Sequence, residues 1–163
     1  MKKKIAILGS TGSIGKSLLK IIDNNSDFEV VLLSANKNYK ELIKQTKRFK
    51  VKNIIISNAL SFKKFKKINT NKKIKTFQNY ENLNEIFKSK IDYTMCAITG
   101  IDGLNPTIKI IKHTKKIAIA NKESIICGWN LIKRNLKKYK TKFIPVDSEH
   151  FSIWYALQNL KNR

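Results

Sequence analysis

The stretch from Lys4 to Gly15 constrains the fold more than any other. An unbroken apolar run, Ile5-Ala6-Ile7-Leu8, meets Gly9-Ser10-Thr11-Gly12-Ser13-Ile14-Gly15, and a helical pattern of Ile14, Leu18, Leu19, Ile21 and Ile22 follows. A strand, a glycine loop and then a helix form the context in which G-x-x-G-x-x-G, a variant of G-x-G-x-x-G, reads as a dinucleotide-binding turn. Gly9 permits the sharp turn, Gly12 lets backbone approach a pyrophosphate, and Gly15 lets the helix pack close to the strand. The phosphates then sit on unpaired N–H groups at the positive end of the helix dipole. The plain alternative is a tight turn with no ligand.

The rest of the chain repeats the alternation. Apolar runs predict strands over 4–8, 28–34, 53–57, 91–97, 116–120 and 142–146, with a doubtful short one at 74–77. Helical periodicity predicts helices over 13–24, 38–50, 59–67, 80–89, 103–113, 122–139 and 150–160. Asn53-Ile54-Ile55-Ile56 is apolar at successive positions, as expected of a strand buried on both faces. Such alternation argues an α/β fold, a Rossmann-like, doubly wound and mainly parallel sheet with right-handed crossovers. The segment Lys63 to Lys75, rich in Lys and Asn, reads as a solvated connection.

Three further motifs lie at predicted strand ends, where ligands of open α/β sheets bind. The second strand ends in Ser34-Ala35-Asn36-Lys37-Asn38. An NAD site usually carries an acid here for the ribose 2′-hydroxyl, whereas a cation suits a 2′-phosphate. This segment has Lys37 and no acid, which favours NADPH unless Lys37 is one more solvated lysine. Ile117–Ala120 delivers Asn121, Lys122 and Glu123 to its end; the bland reading is that Lys122 and Glu123 begin the next helix. Finally, Pro145-Val146-Asp147-Ser148-Glu149-His150 sets two carboxylates at i and i+2, on one face of an extended segment. Converging oxygens suit a hard cation such as Mg²⁺ or Mn²⁺. The alternative is an acidic turn capping a helix that starts near Phe151. His150 reads as a solvent-facing or supporting neighbour of the acids rather than a ligand.

Composition narrows the function classes. The formal charge of +23 invites a nucleic-acid reading, but of 34 basic residues only Arg48, Arg134 and Arg163 are arginine, the residue favoured for reading phosphates and bases. The lysines are spread over every predicted helix, and Lys, Ile and Asn are abundant together, as A+T-rich codons would give. No specific nucleic-acid partner is expected, only weak attraction to polyanions. A 42% hydrophobic content suffices for one core. No run approaches a membrane span, and the four apolar residues after Lys4 are too few for a secretory signal. Cys96 and Cys127 lack metal spacing and read as buried thiols of a reducing, cytoplasmic setting. His113, at a predicted helix C-terminus, reads as a surface residue favoured by the dipole.

GSTGSIG, SANKN, ANKES and PVDSEH, in this order and spacing, resemble the 1-deoxy-D-xylulose 5-phosphate reductoisomerase family, and Ala97-Ile98-Thr99-Gly100 resembles the exit loop of its fourth strand. The resemblance covers essentially the whole chain. It implies that Thr11, Gly12, Ser13 and Ile14 contact the NADPH diphosphate, that Lys37 and Asn38 meet its 2′-phosphate end, and that Asn121 and Glu123 touch NADPH. Asn36 stands where the family has glycine. Lys122 would hold the sugar phosphate substrate, and Ser148 and Glu149 would contact it, with Lys122 and Glu149 catalytic. Asp147 and Glu149 would ligate Mg²⁺ or Mn²⁺, with Co²⁺ a third candidate.

The same resemblance implies conversion of 1-deoxy-D-xylulose 5-phosphate to 2-C-methyl-D-erythritol 4-phosphate in non-mevalonate isoprenoid synthesis, by a homodimer. Family members run more than twice as long. Residues 1–146 are therefore expected to be the NADPH-binding domain and 147–163 the start of a catalytic domain, with this polypeptide alone a poor or inactive catalyst. Phe151, Ile153, Trp154, Tyr155 and Leu157 would then form a sticky, partly disordered tail, unless they fold back on the sheet. The competing readings are a nucleotide-binding domain of a semialdehyde- or homoserine-type dehydrogenase, and a nucleotide-binding fragment without turnover.

Overall fold

The computed structural model describes residues 1–146, 151–153, 155 and 157. Its elements run β1 (Lys3–Leu8), α1 (Ser13–Asp23), β2 (Phe28–Ala35), α2 (Tyr39–Arg48), β3 (Asn53–Ile56), α3 (Ala59–Ile68), β4 (Lys75–Phe77), α4 (Leu83–Ile86), β5 (Ile91–Cys96), α5 (Leu104–Ile111), β6 (Thr114–Ile119), α6 (Lys122–Lys138) and β7 (Lys142–Pro145). The strands form one sheet in the order β4-β3-β2-β1-β5-β6-β7. Every pairing is parallel. The expected Rossmann-like fold is the observed one.

Parallel strands need both faces covered, because each crossover lays a helix on the sheet. Successive β1 residues show this. Ile5 and Ile7 join an apolar cluster with Leu19 and Ile22 of α1, Leu42 of α2 and Phe65 of α3. Ala6 and Leu8 face the opposite way, into a cluster with Leu83 of α4, Ile110 and Ile111 of α5, and Ile125, Ile132 and Leu136 of α6. The period of two in side-chain direction thus becomes two helical layers around one sheet. The order of strands reverses beside β1, since β2 lies on one side of it and β5 on the other.

Several boundaries differ from the expectation for local reasons. The short strand at Lys75–Phe77 exists, in register with Asn53–Ile55. The presumed solvated connection from Lys63 is shorter than expected, because Phe65 is fully buried and α3 continues to Ile68. The expected helix over 80–89 shrinks to the single turn Leu83–Ile86. There Phe87 leaves helical geometry and buries its ring. Cys96 is buried as expected, and burial pushes its thiol up to about 12. Cys127 is exposed on α6, contrary to expectation, because the buried stripe of that helix passes through Ile125, Gly128 and Ile132 instead. Residues 151–153, 155 and 157 are helical, with Phe151, Ile153, Tyr155 and Leu157 exposed. Trp154 lies outside the described residues. Among the described residues no helix is long and apolar enough to cross a membrane.

His113 is the clearest correction. It is 7% exposed rather than on the surface, its ring centroid is 5.5 Å from that of Phe87, and its Nε2 has no hydrogen-bond partner among the described residues. The reason is that His113 joins Lys112, the C-cap of α5, directly to Thr114, the fully buried first residue of β6. Burial, reinforced by the Lys112 charge, pushes the imidazole down to about 4 from 6.5. The unfolded chain therefore takes up a proton near pH 6.5 that the folded chain refuses until about pH 4. The stability from a neutral His113 is present above pH 6.5 and is lost as pH falls through that window. Calorimetric melting of the wild type and His113→Leu at pH 7, 5.5 and 4.5 should show an acid-side loss, on the order of 2 kcal/mol, that the variant lacks. Parallel pH profiles for the two proteins would refute it.

Candidate functional site

The reversal of strand order leaves a crevice at the carboxyl ends of β1 and β5, the place where open α/β sheets take ligands. The chain leaves β1 through Gly9, whose φ is +80° and whose hypothetical Cβ would lie 2.5 Å from the Ala97 carbonyl oxygen. No L side chain fits there. The turn is held on both flanks: Ala97 N–H donates to Leu8 O at 2.8 Å, and Ser10 N–H to Ser34 O at 2.8 Å. A Cβ on Gly15 would come within 2.6 Å of Gly9 O, so the first turn of α1 rests directly on the loop. A Cβ on Gly12 would be in ordinary van der Waals contact, 3.4 Å from Gly9 O, so this position is less crowded than Gly9 or Gly15.

Gly12 is also the N-cap of α1, with no side chain among the described residues capping it and no acid in the first turn. By contrast, Asn38, Asn58 and Asn121 cap α2, α3 and α6 through their side-chain oxygens. The start of α1 is thus an uncapped positive helix end beside a glycine surface, a fit for a pyrophosphate.

The cleft in front of this turn has a volume of about 850 Å³. Gly9, Thr11 and Gly12 form its floor; Asn36 and Asn38 follow β2, Asn79 to Glu81 follow β4, and Ala97 to Thr99 follow β5. A depression of about 820 Å³ at the opposite edge, lined by Lys2, Asp23, Arg48 and Lys50, is similar in size. It faces the C-terminal ends of α1 and α2, where helix dipoles disfavour anions, and the Arg48–Asp23 ion pair occupies part of its rim. The Arg48 guanidinium, hydrogen-bonded to the exposed Asp23 carboxyl, holds that carboxyl below its usual range. The switch-point cleft is the better ligand site.

The structure gathers Gly12, Thr11, Asn36 and Asn38 in that one cleft. Ser13 and Ile14 are exposed on the first turn of α1, next to it rather than in its lining. Lys37 is exposed at its margin, and among the described residues its ammonium has no ion-pair partner. Asn36 has no positive φ, so asparagine costs nothing in backbone strain where the family has glycine. Asn38 spends its Oδ1 on Glu41 N–H at 3.1 Å, and among the described residues its amide nitrogen has no hydrogen-bond partner.

Asn121 is more committed still. It is 4% exposed; its amide nitrogen donates to Ile98 O and, at 2.5 Å, to Gly100 O, while its Oδ1 accepts from Ser124 N–H at 2.7 Å. This residue laces the loop after β5 to the start of α6, so what it can offer a cofactor is backbone. Lys122 and Glu123 are exposed in the first turn of α6, outside the cleft lining but on the same edge of the sheet.

The expected cation and substrate residues Asp147, Ser148 and Glu149, with His150, lie outside the described residues. The strand that leads to them is described: β7 runs parallel to β6, with Ile119 beside Pro145. Its carboxyl end therefore faces the same edge as the glycine turn, three strand spacings, or about 14 Å, from β1. Among the described residues no group of three His, Cys, Asp or Glu could hold a metal.

Sequence reasoning overlooked a polar layer beneath the turn. Ser34 Oγ accepts from Gly9 N–H at 3.0 Å and from Tyr80 Oη at 2.8 Å. The Ser10 hydroxyl meets Gln45 Oε1 at 2.7 Å, and Gln45 Nε2 donates to Ser10 O at 3.0 Å. Ser34 lies within SANKN, but nothing in the sequence signals that Tyr80 reaches it or that Gln45 reaches Ser10. Asn121→Ala should lower stability by about 2 kcal/mol or more in urea unfolding, since it removes a helix cap and strands two loop carbonyls. Unchanged stability would mean that the side chain serves a ligand rather than the loop.

The sequence model of the family described as 1-deoxy-D-xylulose 5-phosphate reductoisomerase matches residues 5–128. The protein of that name from Pelagibacter ubique (strain HTCC1062) is 65% identical over 162 residues, which are 98% of this chain and 42% of the relative. Among solved structures, the reductoisomerase from Zymomonas mobilis in complex with NADPH is 33% identical, with a TM-score of 0.83 over 92% of this chain and 40% of that one. A DOX-P reductoisomerase in complex with magnesium is 30% identical, with a TM-score of 0.78 over 92% of this chain and 38% of that one. Homoserine dehydrogenase from S. aureus, at 15% identity and a TM-score of 0.52, shares the fold alone. The chain spans about two fifths of the length of the curated relatives it matches.

Proposed function

This chain belongs to the 1-deoxy-D-xylulose 5-phosphate reductoisomerase family, and we propose that it is the NADPH-binding part of such an enzyme, acting on 1-deoxy-D-xylulose 5-phosphate to give 2-C-methyl-D-erythritol 4-phosphate. The observation that carries the reading is the glycine turn at the switch point, with an uncapped helix start beside an open cleft. In this proposal the amides after Gly12, with Thr11, Ser13 and Ile14, hold the diphosphate. Lys37 neutralises the 2′-phosphate, helped by Asn36 and the amide nitrogen of Asn38. Asn121, through its backbone, and Glu123 border the nicotinamide side. NADPH, when bound, supplies the hydride that reduces the rearranged aldehyde.

Residues 1–146 form the cofactor domain and 147–163 lead into the catalytic part. Asp147 and Glu149 offer oxygens to a divalent cation, Mg²⁺, Mn²⁺ or Co²⁺, which supplies Lewis-acid stabilisation when bound. Ser148 and Glu149 contact the substrate, and Lys122 fixes a positive charge against a substrate oxygen. Two carboxylates offer fewer oxygens than such a cation takes, so water, substrate or other side chains complete its coordination. A cytoplasmic homodimer is the assembly in which we expect it. The homoserine-type alternative is disfavoured by its low identity and would leave Asp147 and Glu149 without a cation.

Titration calorimetry on the chain should give tighter binding of NADPH than of NADH, by about tenfold or more, the scale of one charge-assisted hydrogen bond. Lys37→Ala should erase most of that preference; equal affinities in the wild type would rule out the 2′-phosphate role. In a family-length protein carrying this sequence, Asp147→Asn and Glu149→Gln should each lower kcat on the order of 10²-fold or more without altering the melting temperature. Wild-type rates in either variant would remove the cation assignment.

A further inference from the structure

We propose that Tyr80 is a positioning residue for the phosphate-binding turn, acting through Ser34 to hold the Gly9 amide in place. The proposal rests on the dinucleotide reading of the cleft for its consequence, but not for its geometry. Tyr80 comes from the segment after β4, the edge strand three places from β1. Its ring packs against the apolar cluster that includes Leu8 and Leu32, and its hydroxyl donates to Ser34 Oγ at 2.8 Å. The same oxygen accepts from Gly9 N–H at 3.0 Å.

A serine hydroxyl has two lone pairs and one proton. Here Gly9 and Tyr80 take both lone pairs, so two donors together fix where Ser34 Oγ sits. Ser34 is fully buried, on the inner wall of the cleft, where Tyr80 also lines it. Without the phenol, Ser34 Oγ keeps only one of the two bonds that fix its rotamer, and its bond to the Gly9 amide is held less firmly. Gly9 is the residue whose backbone approaches Ala97 too closely for any side chain, so a small shift there moves the whole turn. Burial pushes the Tyr80 hydroxyl up to about 12, so it stays a donor at any working pH. The neighbouring Glu81 forms an ion pair with Lys109 of α5 across the cleft, but Glu81 is largely exposed and such pairs hold weakly. Tyr80 is the firm anchor of this lip.

Two measurements on the 163-residue chain test the idea. In the ligand-free protein, hydrogen exchange of the Gly9 amide, followed by NMR, should accelerate by roughly tenfold in Tyr80→Phe, while core amides such as those of Ile7 and Leu33 keep their rates. An unchanged Gly9 rate, or an equal acceleration everywhere, overturns the proposal whether or not any cofactor binds. For NADPH affinity, Tyr80→Phe should weaken binding roughly five- to tenfold, the scale of one lost hydrogen bond. Ser34→Ala should do the same, and the double variant should be no weaker than Ser34→Ala alone. Additive losses would mean that Tyr80 acts on the ligand directly, and the proposal fails. If the wild type binds no NADPH at all, the functional reading fails instead, and the Gly9 exchange rate still decides the role of Tyr80.

Discussion

The contact between the backbone of Gly9 and that of Ala97 is the constraint on which the site depends. Two parallel strands, β1 and β5, run side by side and must part at their carboxyl ends without a gap between them. They do so because residue 9 has no Cβ and turns with positive φ, while the Ala97 amide still reaches Leu8 O. The loop then folds back under α1, where Gly15 lets the helix settle onto it. One missing methylene at each of two positions brings a helix N-terminus to the edge of the sheet. That is where its dipole can act on an anion.

Beneath this backbone arrangement lies a polar layer that replaces packing with hydrogen bonds. Ser10, Ser34 and Gln45 are all buried, and each has partners within the layer. Buried hydroxyls and amides are costly when unpaired and orienting when paired. They hold the turn from below, leaving its upper amides for the cleft. Asparagine does comparable work elsewhere: Asn38, Asn58 and Asn121 each close a helix start, and Asn121 also ties down the loop after β5. Two residues of ligand-binding type are therefore, in their side chains, largely structural.

The net charge of +23 sits around this frame rather than within it. Lysines occupy the exposed faces, and the ion pairs Arg48–Asp23, Lys109–Glu81 and Lys115–Asp92 among the described residues join groups that are partly or largely exposed. Exposed pairs contribute little to stability. The surplus charge gives a diffuse attraction for anions, and the choice of where an anion docks falls to the start of α1 beside the glycine floor.

The local sequence determined the strand positions, because runs such as Ile54-Ile55-Ile56 have no amphipathic option and bury on both faces. It determined the glycine turn, because only strand–glycine–helix order gives that geometry, and the absence of an acid after β2. It did not determine the length of α4, which ends where Phe87 finds the core, nor the burial of His113, which depends on how β6 follows α5. Nor did it show that Tyr80, 46 residues from Ser34, completes the layer under the turn. Periodicity reports which face of an element is apolar; it carries no information on which distant polar group arrives beside it. That pairing is set by strand order and crossover, and so only the tertiary structure decided it.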